Sequence, residues 1–490
     1  MEKLSTSSGY AILVVFSLAS IILGKWFGKG TKETTDDFLA ARESIPMPVA
    51  IAGLIAVWIW SSTIMGSGEG AYTFGMAGLW MYGLVVPISA ITLGAPILGK
   101  VRRMIPKAST FPQYIALRMG KGAHGVFTLV GIWQMFFWSV LQVMAVGMVL
   151  DVMFGIPPVE GAFLSGIVIA VYITLGGLRA AAGTAFIQVL LITVLLAVLV
   201  PMAVFMNGGP AAIYQGVALS GIENATALIT PASITGWFLV SLGAFINYAI
   251  MDQNVWQYVY STTPGKERKL ILTTAFWWFC FPAVSGLLGI IALGAGINVS
   301  PTLAVPALIL GTLPTWAAYA FALVMLSSIY STAGSCLNAF TSIIINDVYV
   351  PYVKKGGVSD PASLLKIAKA TTLLGGLGVA VLSVVPVSLL FFNYAVGAIA
   401  VPLTWPFVLS VFWEKLNIKA ATWGMALGVA CGVYFAFLPA IGWINSPVEL
   451  WIGYAVTHAV SLFVPLIGTL LAPNQDFSFA EMVKTTGGSI

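Results

Sequence analysis

Charge is scarce in this chain of 490 residues, which holds 22 Lys and Arg against 17 Asp and Glu, 8% in all. A soluble domain carries roughly 25%. So few charges cannot cover a water-exposed globule, which excludes an ordinary cytosolic enzyme and a nucleic-acid-binding protein. Cysteine is nearly absent too: Cys280, Cys336 and Cys431 lie in apolar stretches, are odd in number and form no CxxC pair, so no disulfide framework is expected. The two histidines, His124 and His458, stand far apart without partners at ligand spacing, which argues against a zinc site. Neither HExxH nor a nucleophile–base pair occurs, so a membrane enzyme is disfavoured as well.

What fills the chain instead is apolar: 59% of it is hydrophobic. Apolar blocks run at 9–27, 48–77, 79–98, 123–154, 159–178, 185–205, 234–260, 270–295, 316–345, 364–384, 388–413, 420–438 and 448–471. Backbone in lipid must satisfy its own hydrogen bonds, so these thirteen blocks are expected to be transmembrane helices of one all-α domain. The first block is weakly basic ahead and runs into Lys25 and Lys29 without a small-residue cleavage site, unlike a signal peptide. With the N-terminus outside and strict alternation, all of the 22 basic residues except Lys3 fall on the inner side. The expected protein is therefore multi-pass in the plasma membrane, N-terminus outside and C-terminus cytoplasmic, its basic residues marking topology and not a binding patch.

Polar interruptions mark where such helices do more than span. The second block reads Trp58-Ile59-Trp60-Ser61-Ser62-Thr63, then Gly66, Gly68 and Gly70 around Glu69. The seventh carries Asn247-Tyr248 and Asp252-Gln253-Asn254 with Gln257. These blocks lie five helices apart, as two corresponding broken helices of an inverted-repeat transporter would. In the ninth block Ser328, Ser331 and Thr332 stand at i, i+3 and i+4 and share a face. Three hydroxyls beside carbonyls freed by an unwound helix make five neutral oxygens for a small hard cation; packing residues are the plainer alternative. In the fourth block Gln134, Trp138 and Gln142 recur every four residues, either as interhelical glue or as one wall of a polar cavity. Glu69 and Asp252 are the carboxylates set well inside their blocks, with no Lys or Arg at matching depth. Each must face water, bind a cation or hold a proton.

Four passages resemble the sodium:solute symporter family over nearly the whole chain. They are Asp37-Phe38-Leu39-Ala40-Ala41-Arg42; Gly176-Gly177-Leu178-Arg179-Ala180 with Thr184 and Gln188; Asp252-Gln253 with Gln257; and Ser331-Thr332-Ala333-Gly334-Ser335 leading to Asn346-Asp347-Val348-Tyr349. The resemblance implies the leucine-transporter-type five-plus-five inverted repeat, its halves at 48–205 and 234–413, with 9–27 as an extra first helix and 420–471 as two further ones. It implies a sodium site made of the carbonyls of Ala56 and Ile59 and the oxygens of Ser328, Ser331 and Thr332. Where relatives with a second sodium site have Asp after the Thr of the second passage, this chain has Ala185, and where they have Ser-Ser it has Gly334-Ser335. One sodium per solute is therefore expected.

Among family branches, the Trp58-Ile59-Trp60 run, residues 106–111 and Asp252–Gln257 are most similar to the urea and polyamine transporters. The residues are compatible with this. Aromatic walls (Trp58, Trp60, Tyr82, Trp138, Tyr248), amides (Gln134, Gln142, Asn393) and hydroxyls (Ser61, Ser62, Thr63), with no basic side chain, suit a small neutral or cationic solute. Thr63 matches a sugar-contacting position of relatives. The expected activity is sodium-coupled import of such a solute; the alternatives are a proton-coupled member of the same fold, through Glu69 or Asp252, and a solute-gated channel or sensor. Oligomeric state is left open.

Overall fold

The computed structural model describes residues 3–29, 34–354, 360–385 and 389–489. Lys32 and Lys355, counted above as inner charges, and the first residue of the block at 388–413 lie outside them. Among the described residues all regular structure is helical. The elements are α1 (Thr6–Phe27), α2 (Met47–Trp58), α3 (Ser62–Phe74), α4 (Met76–Met104), α5 (Phe111–Phe154), α6 (Pro158–Met206), α7 (Pro231–Ser261), α8 (Glu267–Gly294), α9 (Thr315–Val353), α10 (Pro361–Leu382), α11 (Phe392–Phe412), α12 (Ile418–Phe437) and α13 (Leu450–Leu471). A short α14 (Phe479–Thr486) follows.

By length and composition 11 of these can cross a membrane, or 12 with α2 and α3 taken as one span bent by 66°. The thirteenth expected span is the second half of α6. That helix runs 49 residues through a non-helical Gly177 (φ 56°, ψ −144°), and so covers two of the apolar blocks. A side chain at Gly177 would run into the Phe38 carbonyl, which explains a glycine there. A similar break at Gly120 (φ 80°) sets off the first turns of α5, where Thr110 and Gln113 form a capping box, from the apolar length that follows.

Both expected interruptions are present. Between α2 and α3, Ile59 leaves the helical region (φ −82°, ψ 84°). Within α7, Asp252 is extended (φ −92°, ψ 116°) and starts a new helical segment, Gln253–Ser261, by accepting from the Asn254 backbone N–H. α9 lies at the centre, 94% of its most apolar window buried inside the protein, against 28% for α1, α10 and α13.

Candidate ion and solute site

Unwinding α2 at mid-membrane frees backbone groups that lipid cannot satisfy. Side chains from four helices take them up. Ser331 Oγ donates to the Ala56 carbonyl (3.0 Å), Ser328 Oγ to that of Ile59 (2.7 Å) and Thr332 Oγ1 to that of Val57 (2.9 Å), with a longer approach to Ile59 (3.4 Å). Trp278 Nε1 of α8 donates to the Trp58 carbonyl (2.7 Å), which Thr63 Oγ1 also reaches (3.1 Å). Gln142 Oε1 of α5 accepts from the Ser61 N–H (2.9 Å).

Each oxygen named from the sequence for a cation, those of Ala56, Ile59, Ser328, Ser331 and Thr332, is thus within 3.4 Å of at least one other, buried where α9 crosses the break. They are neutral and hard, the chemistry of a group-one cation and not of zinc or copper. Among the described residues no cluster of three or more His, Cys, Asp or Glu could hold a metal. For these oxygens to turn their lone pairs on an ion, each hydroxyl proton must rotate away from the carbonyl it now meets. At the positions read as lacking a second sodium site, Ala185 is fully buried, and the Tyr172 phenol, bonded to the Tyr330 carbonyl (2.8 Å), fills the space that a side chain at Gly334 would need.

The aromatic residues meet beside the same break. Trp60 and Trp138 pack edge to face (ring centroids 4.6 Å apart), and Tyr248 closes on both (5.4 and 5.3 Å). Gln142 lies one helical turn beyond Trp138 and Gln134 one turn before it, both buried. Tyr82 stacks towards Trp278 and Trp237, its hydroxyl facing Ser62 and Thr63. Asn393 Nδ2 of α11 reaches Ser62 Oγ (3.4 Å). Asp252 is joined through Trp58, whose Nε1 donates to its Oδ2 (2.9 Å), while Asn254 N and Nδ2 bind Oδ1 (2.9 and 2.8 Å). Glu69 is half-buried on α3 with Thr302 beside its carboxyl.

Residues that carried the resemblance gather at a second centre. Arg179 pairs with Asp37 (3.0 Å), joining the first two passages. Arg42 holds Asp36 and the carbonyls of Pro106, Lys107 and Ala108. Gln257 donates to the Leu39 carbonyl, and Gln253 to that of Ser109. Asp347 receives Thr110 Oγ1 (2.7 Å) and faces His124 Nε2 (3.0 Å). Arg102, 5% exposed, ties the carbonyls of Val259 and Thr262 to Glu267 (3.0 Å) and Glu43 (3.5 Å). These bonds pin the second half of α7 at the end where the basic residues cluster. Sequence reading gave none of Arg102, Glu267, His124 or Asp347 a role in the transport site. The available signal was that each is charged or titratable in a chain with little charge. A cavity of about 440 Å³ beside this centre is lined by Lys107, Gln113, His124 and Asn346 among others, and one of about 320 Å³ by Trp405, Tyr454 and His458. Neither is lined by a residue expected to hold solute.

The profile of the sodium:solute symporter family matches residues 38–428, most of the chain. The chain belongs to that family. Relatives of this symporter include the urea-proton symporter DUR3 of Oryza sativa subsp. japonica, 24% identical over 88% of this chain and 65% of the relative. Another is the urea active transporter of Saccharomyces cerevisiae, 22% identical over 88% and 63%. The chain thus spans less than two thirds of the length of these relatives. Its fold matches that of a Na+-coupled sialic acid symporter solved in a substrate-bound outward-open state, with a TM-score of 0.80 at 20% identity over 96% of this chain and 99% of the other. The chain thus has the leucine-transporter-type fold, and urea transporters are among its relatives.

Proposed function

We propose that this protein imports a small polar organic solute, urea or a polyamine, by alternating access in the plasma membrane, with one sodium ion moving per solute. The observation that carries this reading is the convergence of the Ser328, Ser331 and Thr332 hydroxyls on the carbonyls of the broken helix. Two elements meet there, so an ion between them would hold α2 against α9 and thereby fix the adjoining solute walls. Coupling is then a difference of free energy: sodium must prefer the arrangement that binds solute, and by reciprocity solute must raise the affinity for sodium. Trp58, Trp60, Ser61, Ser62, Thr63, Tyr82, Gln134, Trp138, Gln142, Tyr248, Asp252 and Asn393 form the proposed solute environment; Glu69, half-buried beside Thr302, would act on the approach to it. The bonds of Arg102 and Gln257 would hold the cytoplasmic side shut until solute and ion are aboard. Basic residues place the N-terminus outside in this reading, and the two repeats at 48–205 and 234–413 would move against each other.

The test is uptake of labelled urea and putrescine into proteoliposomes under an imposed sodium gradient, and separately under a pH gradient at equal sodium. Sodium-driven accumulation is expected. A second reading, proton coupling, is favoured by one observation: Asp252 is buried and, among the described ion pairs, has no cationic partner. The name of the rice relative points the same way. Accumulation driven by pH alone would establish it and remove the sodium assignment.

A further inference from the structure

We infer that the solute is recognised through a carbonyl oxygen, and that Trp60, Trp138, Gln142 and Tyr248 are the groups that read it. This rests on the transport reading above and narrows it to uncharged amide- or urea-like compounds, against polyamines and other organic cations.

Buried polar groups in a folded protein are almost always hydrogen-bonded, so a cluster of exceptions points to a missing partner. Among the buried side-chain atoms without a partner, four donors lie together at the break of α2. Trp60 Nε1, Trp138 Nε1, Gln142 Nε2 and the Tyr248 hydroxyl are buried without a partner. The first two belong to rings in mutual contact with Tyr248. The Gln142 amide is oriented, because its oxygen is held by the Ser61 N–H, so its NH2 is the end left over. Indole and amide nitrogens only donate, and a phenol can donate. What the cluster lacks is an acceptor.

A cation offers no acceptor and would set its own N–H groups against these donors. The carboxylate at hand is already committed: Asp252 is engaged by three N–H groups from Trp58 and Asn254. Trp60 and Trp138 meet at 70° and Trp138 and Tyr248 at 88°, so each contact spends one ring face on the edge of its neighbour. A carbonyl oxygen has two lone pairs, can take two or more of the four donors, and brings no charge into a buried place. An N–H group of an amide would then find an acceptor in Asn393 Oδ1, which is buried and unpartnered on the residue that reaches Ser62. A site built to bond a polar group rejects the analogue that lacks it, because its own donors are then stranded.

Urea and guanidinium are the decisive pair, since both are planar and alike in size and differ in an acceptor oxygen against a cationic N–H group. The experiment measures urea uptake by the full chain in proteoliposomes under the coupling gradient, with acetamide, guanidinium and putrescine as competitors. Acetamide should compete, and guanidinium and putrescine should not at tenfold excess over the urea KM. Tyr248→Phe, which keeps the ring and removes the hydroxyl, should raise KM for urea about 3- to 10-fold, the worth of one hydrogen bond, with the dependence on the coupling ion unchanged; Trp138→Phe, which also removes the second ring of a buried indole, should raise it at least as much. Gln142→Glu keeps an oxygen for Ser61 and replaces the free donors by an acceptor; it should depress urea uptake and let guanidinium compete. Competition by guanidinium or putrescine equal to that by acetamide, or ring variants with wild-type KM, would overturn the carbonyl reading while gradient-driven uptake stands. Absence of gradient-driven uptake for every compound would instead remove the transport reading, and this one with it.

Discussion

Ser331→Ala tests the ion site most directly. The hydroxyl donates to the Ala56 carbonyl at 3.0 Å and approaches the Ser328 carbonyl at 2.8 Å. Without an ion, its removal costs one interhelical hydrogen bond, about 0.5–1.5 kcal/mol, and nearer 0.6 by the average for membrane helices. With an ion, one of five oxygens around a charge is lost, worth about 1.5–3 kcal/mol, or roughly a 10- to 150-fold rise in the sodium concentration for half-maximal uptake. The variant should therefore fold, unfold a few degrees lower at most, and show its main defect only in the sodium titration. Solute affinity should recover at saturating sodium, as linkage requires. Ser331→Ala with Thr332→Ala should abolish sodium dependence. Ser327→Ala is the control: its hydroxyl is buried one turn earlier on α9 without a partner, and its loss should leave the titration where it was. Labelled-solute uptake against external sodium, paired with thermal unfolding with and without sodium, reads both effects. A half-saturating sodium unchanged in Ser331→Ala, or shifted equally in Ser327→Ala, would refute the reasoning.

Other expectations follow from the same geometry. Asp252→Asn puts an amide NH2 against the N–H groups of Trp58 or Asn254, costing about 1–3 kcal/mol. Uptake should fall at least tenfold, and any uptake driven by a pH gradient alone should vanish, which the same vesicles would show. Arg102→Ala strands the buried Glu267 carboxylate and should destabilise the protein by about 3–5 kcal/mol. Adding Glu267→Ala should recover part of that in a thermal double-mutant cycle. Gly177→Ala forces a side chain onto the Phe38 carbonyl at φ 56°, a strain on the order of 1–3 kcal/mol or more, visible as loss of monodisperse protein in size-exclusion chromatography.

The helices were legible because lipid leaves the backbone little choice, and the break was legible because Ser61-Ser62-Thr63 interrupts an apolar run, although it falls at Ile59 and the alternating glycines beyond it stay helical in α3. The hydroxyl face of α9 was legible because i, i+3 and i+4 is a property of the helix itself. Legibility ended where partners come from distant segments. Nothing in the pattern around Gln142 says that its amide would cap the Ser61 N–H, or that Trp278 of α8 would reach the Trp58 carbonyl. Gly177, read as part of a motif, turned out to be the joint of a helix that the apolar pattern divides in two. Glu69 looked equivalent to Asp252 by depth in the sequence, but it is half-buried beside Thr302, whereas Asp252 is buried at the break of α7. Arg42, Arg102, Arg179 and Asp347 served as topology or motif markers, and only their three-dimensional neighbours show what each holds: Pro106, the end of α7, Asp37 and Thr110.

The central burial of α9 bears on which part of the machine moves. A helix packed on every side cannot shift without disturbing its whole surroundings, and close-packed interiors resist that. α2, 12 residues ending at a 66° bend, is buried from Gly53 to Trp58 and interrupted where α9 is continuous. The hydroxyls of Ser328, Ser331 and Thr332 thus sit on an unbroken helix and the carbonyls of Ala56 and Ile59 beside a joint. In the proposed cycle, any stroke that swung α2 off α9 would part these oxygens, so the ion would be let go in the motion that lets the solute leave.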